Sequence, residues 1–144
     1  MDADRLIDYC LAMPGTYLDY PFDDHTACVR LRPPSRPAGL ILLMAFRLRG
    51  VPMASLRCHP DLGLMWRAMY PGVVVRGWHC PPVQQPYMDS FPLTGVVPDD
   101  DICEMADQAW DAVASRLPRR LRAELPDNLA MTSLIACPDR LRVK

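Results

Sequence analysis

The stretch from residue 57 to residue 79, RCHPDLGLMWRAMYPGVVVRGWH, constrains the fold more than any other part of the chain. It predicts the end of a strand, a helix that begins at Pro60, a stop at Tyr70-Pro71-Gly72 and a second strand. Proline suits the first helical position because the N–H it lacks would be unpaired there, whereas Pro71-Gly72 cannot continue a helix. Four apolar residues spaced i, i+3, i+4 and i+7 predict one buried stripe on this helix: Leu62, Met65, Trp66 and Met69.

Hydrophobic periodicity places further elements on both sides of this unit. A first helix is predicted over residues 4–13 and a last helix over residues 99–117, with a stripe of small and apolar residues at helical spacing. Alternating or continuous apolar runs predict short strands over residues 26–32, 40–47, 53–58, 73–78 and 87–93. The aromatic segment Tyr20-Pro21-Phe22 is expected to pack against the core. Three helices and about five strands in antiparallel succession predict an α+β two-layer domain.

The charge of the chain argues against a strong long-range field for nucleic acid. The 144 residues have a formal net charge of −1, but residues 116–144 hold seven basic and only three acidic side chains. We therefore expect one domain over residues 1–117 and a basic C-terminal tail over residues 118–144, packed on the domain or partly flexible.

The sequence shows no secretory signal and no apolar run near the roughly 18 residues of a membrane span. These features predict a cytoplasmic protein without a membrane partner.

A series of short motifs follows a set order along the chain: Pro14-Gly15, Tyr20-Pro21-Phe22, LRCHPD at 56–61, Tyr70-Pro71-Gly72, GWH at 77–79 and VPDD at 97–100. Their order and spacing over residues 3–117 resemble the MmcQ/YjbR family. The resemblance implies an antiparallel sheet of about five strands with about three helices packed on one side, like the type III secretion chaperone fold. It also implies a DNA-binding protein whose sheet and loops form a double wing.

The chain departs from the family pattern after the GWH motif. Family members carry a short basic run and then a His-Trp pair, whereas residues 80–87 read CPPVQQPY and contain no Lys, Arg or His. Tyr87 stands in place of the Trp, and His59, a weaker helix cap, replaces the usual Asp. If the basic run contacts phosphate in the family, this chain has lost that contact.

Six arginines are the candidates for phosphate contact in this chain. Arg30 and Arg32 share one strand face, Arg36 lies in the following loop, Arg47 and Arg49 lie on the return strand, and Arg76 lies beside a Trp. Arginine on the solvent face of a hairpin is suited to phosphate oxygens, which position a protein on DNA without reading its sequence. A solvated strand face is the alternative interpretation of the same residues.

A second hypothesis is a non-enzymatic protein-interaction or chaperone-like module, as a monomer or a homodimer, that binds no nucleic acid. The near-neutral charge and the missing basic run favour it. Apolar residues with weak periodicity offer a surface for a partner or a second copy, namely Met131, Leu134, Ile135 and the proline-rich loop 81–86. Packing of the tail across its own domain is the alternative.

Enzymatic and metal chemistry find little support in the sequence. The pairs Cys58-His59 and His79-Cys80 each offer a metal one ligand easily, because adjacent strand residues point to opposite faces. Cys58 is a candidate nucleophile only through its place before a helix. The Asp clusters at 23–24 and 99–101 are typical of a turn and a helix start, and no phosphate-binding glycine loop or dinucleotide motif is present. We therefore predict no catalytic residues, no metal and no cofactor.

Overall fold

The computed structural model describes residues 1–77, 80–126 and 128. The helices are α1 Ala3–Leu11, α2 Pro60–Met69, α3 Asp99–Ala114 and the short α4 Arg119–Arg122, and the strands are β1 Thr16–Asp19, β2 Ala27–Leu31, β3 Leu40–Leu48, β4 Val51–Arg57, β5 Val75–Arg76 and β6 Met88–Pro92. Within the described residues the strands form one antiparallel sheet in the order β1-β2-β3-β4-β6-β5. The α+β prediction is confirmed, with one strand more than expected.

The extra strand is β1, which pairs antiparallel with β2 and begins with Thr16 opposite Leu31. The aromatic segment after it does not enter the core: Tyr20 is 49% exposed and Phe22 is 63% exposed. Asp23 explains this outcome, because its carboxylate accepts the backbone N–H groups of His25 and Thr26 and closes a turn at the solvent-exposed end of the hairpin. The prediction that this segment packs against the core is therefore wrong.

Helices α1 and α3 cover one face of the sheet and enclose the core. Asp2 caps α1 by accepting the N–H of Arg5 at 2.9 Å. The predicted stripe of α3 is buried as expected, and its members are Ile102, Met105, Ala106, Ala109, Val113 and, just past the helix, Leu117. Trp110 on the same helix donates its indole N–H to the Pro14 carbonyl at 2.9 Å, which ties α3 to the end of α1. Burial of these side chains against the sheet is the main stabilising contribution.

Helix α2 packs against the sheet through a narrower surface than the sequence predicts. Gly63 and Trp66 are its buried residues, whereas Met65 is 40% exposed and Met69 is 54% exposed. The predicted stripe is wrong for these methionines because α2 lies over β6 and the two-residue edge strand β5, where little surface remains to cover a full helix face. Trp66 donates its indole N–H to the Gln108 side chain at 2.8 Å and so joins α2 to α3.

Pro92 ends β6 at a position that tolerates a missing N–H. The neighbouring strand β5 pairs only with Asp89 and Ser90, so no strand lies beyond Pro92 on that side. Proline is expected to restrict a strand to an edge or a bulge, but β6 lies inside the sheet between β4 and β5, and it accommodates Pro92 because β5 is too short to reach it. Among the described residues, no helix has the length and apolar character needed to cross a bilayer.

Candidate anion-binding site

The six predicted arginines lie in three separate parts of the structure. The β2–β3 hairpin carries Arg30, Arg32 and Arg36 at one end of β3. Arg47, near the other end of β3, and Arg49, in the β3–β4 turn, lie at the opposite end. The nine residues of β3, at about 3.3 Å each, separate these ends by roughly 25 Å. Arg76 lies on β5 at the far edge of the sheet from β1. The six side chains therefore do not form one surface.

Arg30 is engaged in structural bonds. Its Nη1 donates to Asp19 Oδ2 at 2.9 Å, and its Nε and Nη2 donate to the Gly39 carbonyl at 3.0 and 2.6 Å. These bonds join β1, β2 and the base of the β2–β3 loop. A phosphate would have to compete with them for the guanidinium.

The remaining predicted arginines differ in how far they are engaged. Arg32 lies over the Tyr17 ring at 5.2 Å, and Arg47 donates to the Gly50 carbonyl at 2.8 Å. Arg49 is an exposed turn residue with a φ of 51°. Arg36 is half-buried, and its side chain forms no hydrogen bond or ion pair within the described part of the chain.

Arg36 lines a cavity together with two arginines that were not among the six predicted phosphate contacts. Arg57, the last residue of β4, and Arg116, which follows α3, line a cavity of about 600 Å³ together with Arg36. Leu40, Val83, Gln84 and Tyr87 complete the lining. We call this the arginine cavity.

Two hydrogen bonds to the Glu124 side chain hold the β2–β3 loop beside the segment that follows α4. Glu124 accepts the backbone N–H of Ser35 at 2.9 Å through Oε1 and the Ser35 hydroxyl at 2.5 Å through Oε2. These bonds lower the pKa of the Glu124 carboxyl, so Glu124 stays ionised at neutral pH. They fix the residue next to Arg36 and so bring Arg36 to the cavity.

The cavity carries positive charge, and none of the carboxylates that the structure describes pairs with it. Arg57 Nε donates to the Ile41 carbonyl at 3.3 Å, and no described carboxylate lies within 4.0 Å of the Arg36, Arg57 or Arg116 guanidinium. Burial, and to a lesser degree the charge of Arg116, hold the pKa of Arg57 below its usual range. An anion in the cavity would relieve both effects, because it supplies the missing negative charge and accepts the unused N–H groups.

The segment that lacks the family's basic run forms one wall of this cavity. Residues Gln85–Tyr87 form a single 3-10 turn, and Tyr87 is 42% exposed. The Arg116 guanidinium lies 5.9 Å from the centroid of the Tyr87 ring. The wall therefore offers an aromatic face and the amide of Gln84 instead of charge.

The sheet face opposite the helices holds an apolar groove. It encloses a cavity of about 590 Å³, and its apolar lining is Phe22, Ile41, Met44, Phe46, Leu48 and Met88. Met44 alternates with the core residues Leu43 and Ala45 along β3, which is why it points away from the helices. Arg57 contributes to this groove as well as to the arginine cavity.

The described residues offer neither a metal site nor an activated cysteine nucleophile. Among the described residues, no three His, Cys, Asp or Glu side chains lie close enough to hold a metal ion, and His79 lies outside those residues. Burial raises the pKa of the Cys58 thiol to about 12, which opposes thiolate formation at neutral pH. Asp23 closes a turn as predicted.

One buried acid lies on the helix side of the sheet. Asp89 on β6 is 1% exposed and accepts an ion-paired hydrogen bond from Arg67 Nη1 of α2 at 2.5 Å. Burial raises the pKa of Asp89 to about 6, although Arg67 opposes the shift. Its second oxygen, Oδ2, has no hydrogen-bond partner among the residues that the structure describes. The pair joins α2 to the sheet.

Comparison with known proteins places this fold in a family. A family model described as YjbR matches residues 11–112. The chain belongs to the YjbR family. A search of curated proteins finds no match.

Two solved structures share the fold of this YjbR protein. The Deinococcus radiodurans protein DR2400, which carries a DUF419 domain, superposes with a TM-score of 0.76 at 22% identity and covers 88% of this chain and 91% of its own. A Pseudomonas syringae protein superposes with a TM-score of 0.60 at 15% identity and covers 78% of this chain and 99% of its own. At these identities the likeness supports the fold alone.

Proposed function

We propose that this YjbR protein binds DNA phosphates, weakly and without reading sequence, through the end of the molecule that holds the arginine cavity. One observation carries the proposal: Arg36, Arg57 and Arg116 line one cavity with no described carboxylate in ion-pairing distance. Guanidinium groups match phosphate oxygens in charge and geometry. The DNA-binding role implied by the MmcQ/YjbR resemblance points to the same chemistry.

Further arginines extend the positive charge beyond the cavity. Arg32 is exposed on the β2–β3 hairpin, and the exposed Arg120 lies close enough to Glu124 to favour its ionised form. Duplex DNA presents phosphates along its outside, so these exposed groups and the cavity rim are the contacts it would meet. A regulatory role on DNA fits this mode of binding and the predicted cytoplasmic location, and it requires no enzymatic activity.

The test is the anisotropy of a fluorescent duplex of random sequence, measured from low to physiological salt. We expect wild-type affinity to fall with salt, and the double variant Arg36→Gln/Arg116→Gln to flatten the slope of log K against log [salt] by about 2, since each phosphate contact contributes about 0.9. The matched control is Arg49→Gln/Arg76→Gln, which removes the same charge from distant positions.

Two outcomes would contradict the proposal. Absence of salt-sensitive binding even at low salt excludes DNA as a ligand of this chain. Equal losses in the two double variants would show that net charge, and not the arginine cavity, determines the affinity.

The apolar groove supports a second candidate, a protein-interaction or chaperone-like module. Its lining presents several large apolar side chains on the helix-free face of the sheet, and such faces commonly receive a partner or a second copy. Sedimentation equilibrium tests the homodimer form. We expect Phe46→Asp to shift a dimer to monomer, whereas Val96→Asp, at an exposed site outside the groove, should not. A wild-type monomer at all concentrations excludes the homodimer.

A further inference from the structure

The arginine cavity differs in shape from a surface that follows a DNA duplex. It is concave and encloses about 600 Å³, within the range of about 300–1,000 Å³ typical of small-ligand sites. A duplex is a rod with its phosphates on the outside, so it reaches the rim of such a cavity but not the interior. The interior therefore suits a ligand with the dimensions of a single nucleotide.

The charge of the cavity suits a terminal phosphate. Three guanidinium groups line it, and the described part of the chain supplies no carboxylate in ion-pairing distance. A phosphodiester carries one negative charge, whereas a phosphomonoester carries about −1.5 to −2 near neutral pH and three strong acceptor oxygens. The monoester offsets more of the positive charge and occupies more of the available donors.

The wall of the cavity suits a nucleoside. Arg116 lies 5.9 Å from the Tyr87 ring centroid, so a phosphate bound by Arg116 brings its attached nucleoside alongside an aromatic side chain. Nucleobases stack on aromatic and guanidinium planes without regard to sequence. Val83 adds apolar surface, and the side-chain amide of Gln84 adds one donor group and one acceptor for a base edge.

We propose that the arginine cavity binds a nucleoside 5′-monophosphate group, either as a free nucleotide or as the phosphorylated end of a single strand. Arg36, Arg57 and Arg116 hold the phosphate, and Tyr87 contacts the nucleoside. The inference deepens the proposed phosphate-binding function and rests on it.

Isothermal titration of the full chain with AMP, adenosine and inorganic phosphate tests the site. We expect adenosine to bind at least about tenfold more weakly than AMP, and Arg36→Gln to weaken AMP by about tenfold or more, as charged hydrogen bonds warrant. Arg36 is the chosen position because it lies in a loop and its side chain makes no described hydrogen bond. Arg49→Gln is the matched control and should leave AMP affinity unchanged.

Tyr87→Leu separates the two halves of the site. It should weaken AMP and leave the affinity for inorganic phosphate unchanged, because the ring contacts the nucleoside. Equal affinity for AMP and adenosine, or an AMP affinity unaffected by Arg36→Gln, overturns the inference.

Single strands with a 5′-phosphate or a 5′-hydroxyl distinguish the two sources of the ligand. Tighter binding of the phosphorylated strand identifies a strand end, and binding of AMP without this preference identifies a free nucleotide. Salt-sensitive binding of a random duplex, with no AMP binding and no preference for the phosphorylated end, overturns the nucleotide site but leaves the proposed function intact. Binding of AMP with no DNA binding of any kind removes DNA as the functional ligand and leaves the nucleotide site standing.

Discussion

Gly63 determines how closely α2 approaches the sheet, and its substitution tests that packing directly. A Cβ at this position would lie 2.7 Å from Cys58 Sγ, 3.0 Å from Arg67 Nη1 and 3.2 Å from Asp89 Oδ1. In an exposed helix the change from Gly to Ala stabilises by about 1 kcal/mol. Here the methyl group meets a buried sulfur that has little room to move, and overpacking of this kind costs about 1–3 kcal/mol. We expect Gly63→Ala to lower the free energy of unfolding by about 1–2 kcal/mol.

Urea unfolding followed by circular dichroism measures this change, and Cys58→Ala supplies the matched background. Without Sγ, the remaining close contacts involve the ends of the Arg67 and Asp89 side chains, which can adjust. Gly63→Ala should then be neutral or stabilising by up to about 1 kcal/mol, which gives a coupling energy of at least about 1 kcal/mol between the two positions. If Gly63→Ala stabilises the wild type as much as it stabilises the Cys58→Ala variant, α2 does not approach the sheet and Cys58 as closely as described.

Three further predictions concern buried or bonded groups. Because burial raises the pKa of Asp89 to about 6, the stability that its neutral form contributes is fully present below the unfolded pKa near 3.8 and is lost as pH rises through about 6. Urea unfolding from pH 4 to 7 should show the wild type losing about 2 kcal/mol relative to Asp89→Asn, and a constant difference would contradict the shift. Trp110→Phe leaves the Pro14 carbonyl unpaired and should cost about 1–3 kcal/mol in the same assay; an unchanged urea midpoint would show that this bond adds nothing. Arg30→Gln should increase hydrogen exchange in the β2–β3 loop while duplex affinity stays unchanged, since its guanidinium is already bonded; an affinity loss without faster exchange would make Arg30 a direct DNA contact.

Helix α3, with its regular amphipathic spacing, was predictable from the sequence. Strand β1 was not. Helix α3 buries the residues that its 3.6-residue spacing selects, because a sheet face is available to cover the whole stripe. The four residues of β1 show no alternation, with a burial pattern in which only Leu18 is exposed. Pairing with β2 makes this segment a strand, and that partner cannot be read from four residues.

Helix α2 shows where periodicity fails. Its apolar spacing correctly predicts a helix, yet the helix contacts the sheet through a glycine and Trp66, and Met69 remains in solvent. Periodicity identifies which side chains share a face, but not how much surface the neighbouring strands provide for that face. The 2-residue length of β5 limits that surface here.

The candidate site was predictable only in part. Arg36 was selected because it lies in a hairpin loop, but its partners Arg57 and Arg116 come from a strand end and a helix end that are distant in sequence. Ser35 donates two hydrogen bonds to Glu124, which follows α4, and these bonds hold the loop of Arg36 in place. No local sequence pattern indicates such a pairing. The one available signal was an arginine at the end of the otherwise buried strand β4, where a guanidinium needs a partner or an anion.

The near-neutral charge of the chain and a local anion site are compatible because of screening. A cavity of about 600 Å³ is roughly 10 Å across if compact, close to the Debye length of about 8 Å at physiological salt. A bound phosphate therefore interacts with Arg36, Arg57 and Arg116 almost together, whereas the acidic residues elsewhere in the chain are largely screened. The charge that residues 80–87 lack is supplied within the same cavity by three other elements of the fold. Affinity should accordingly follow the cavity arginines and change little when distant charges are added or removed.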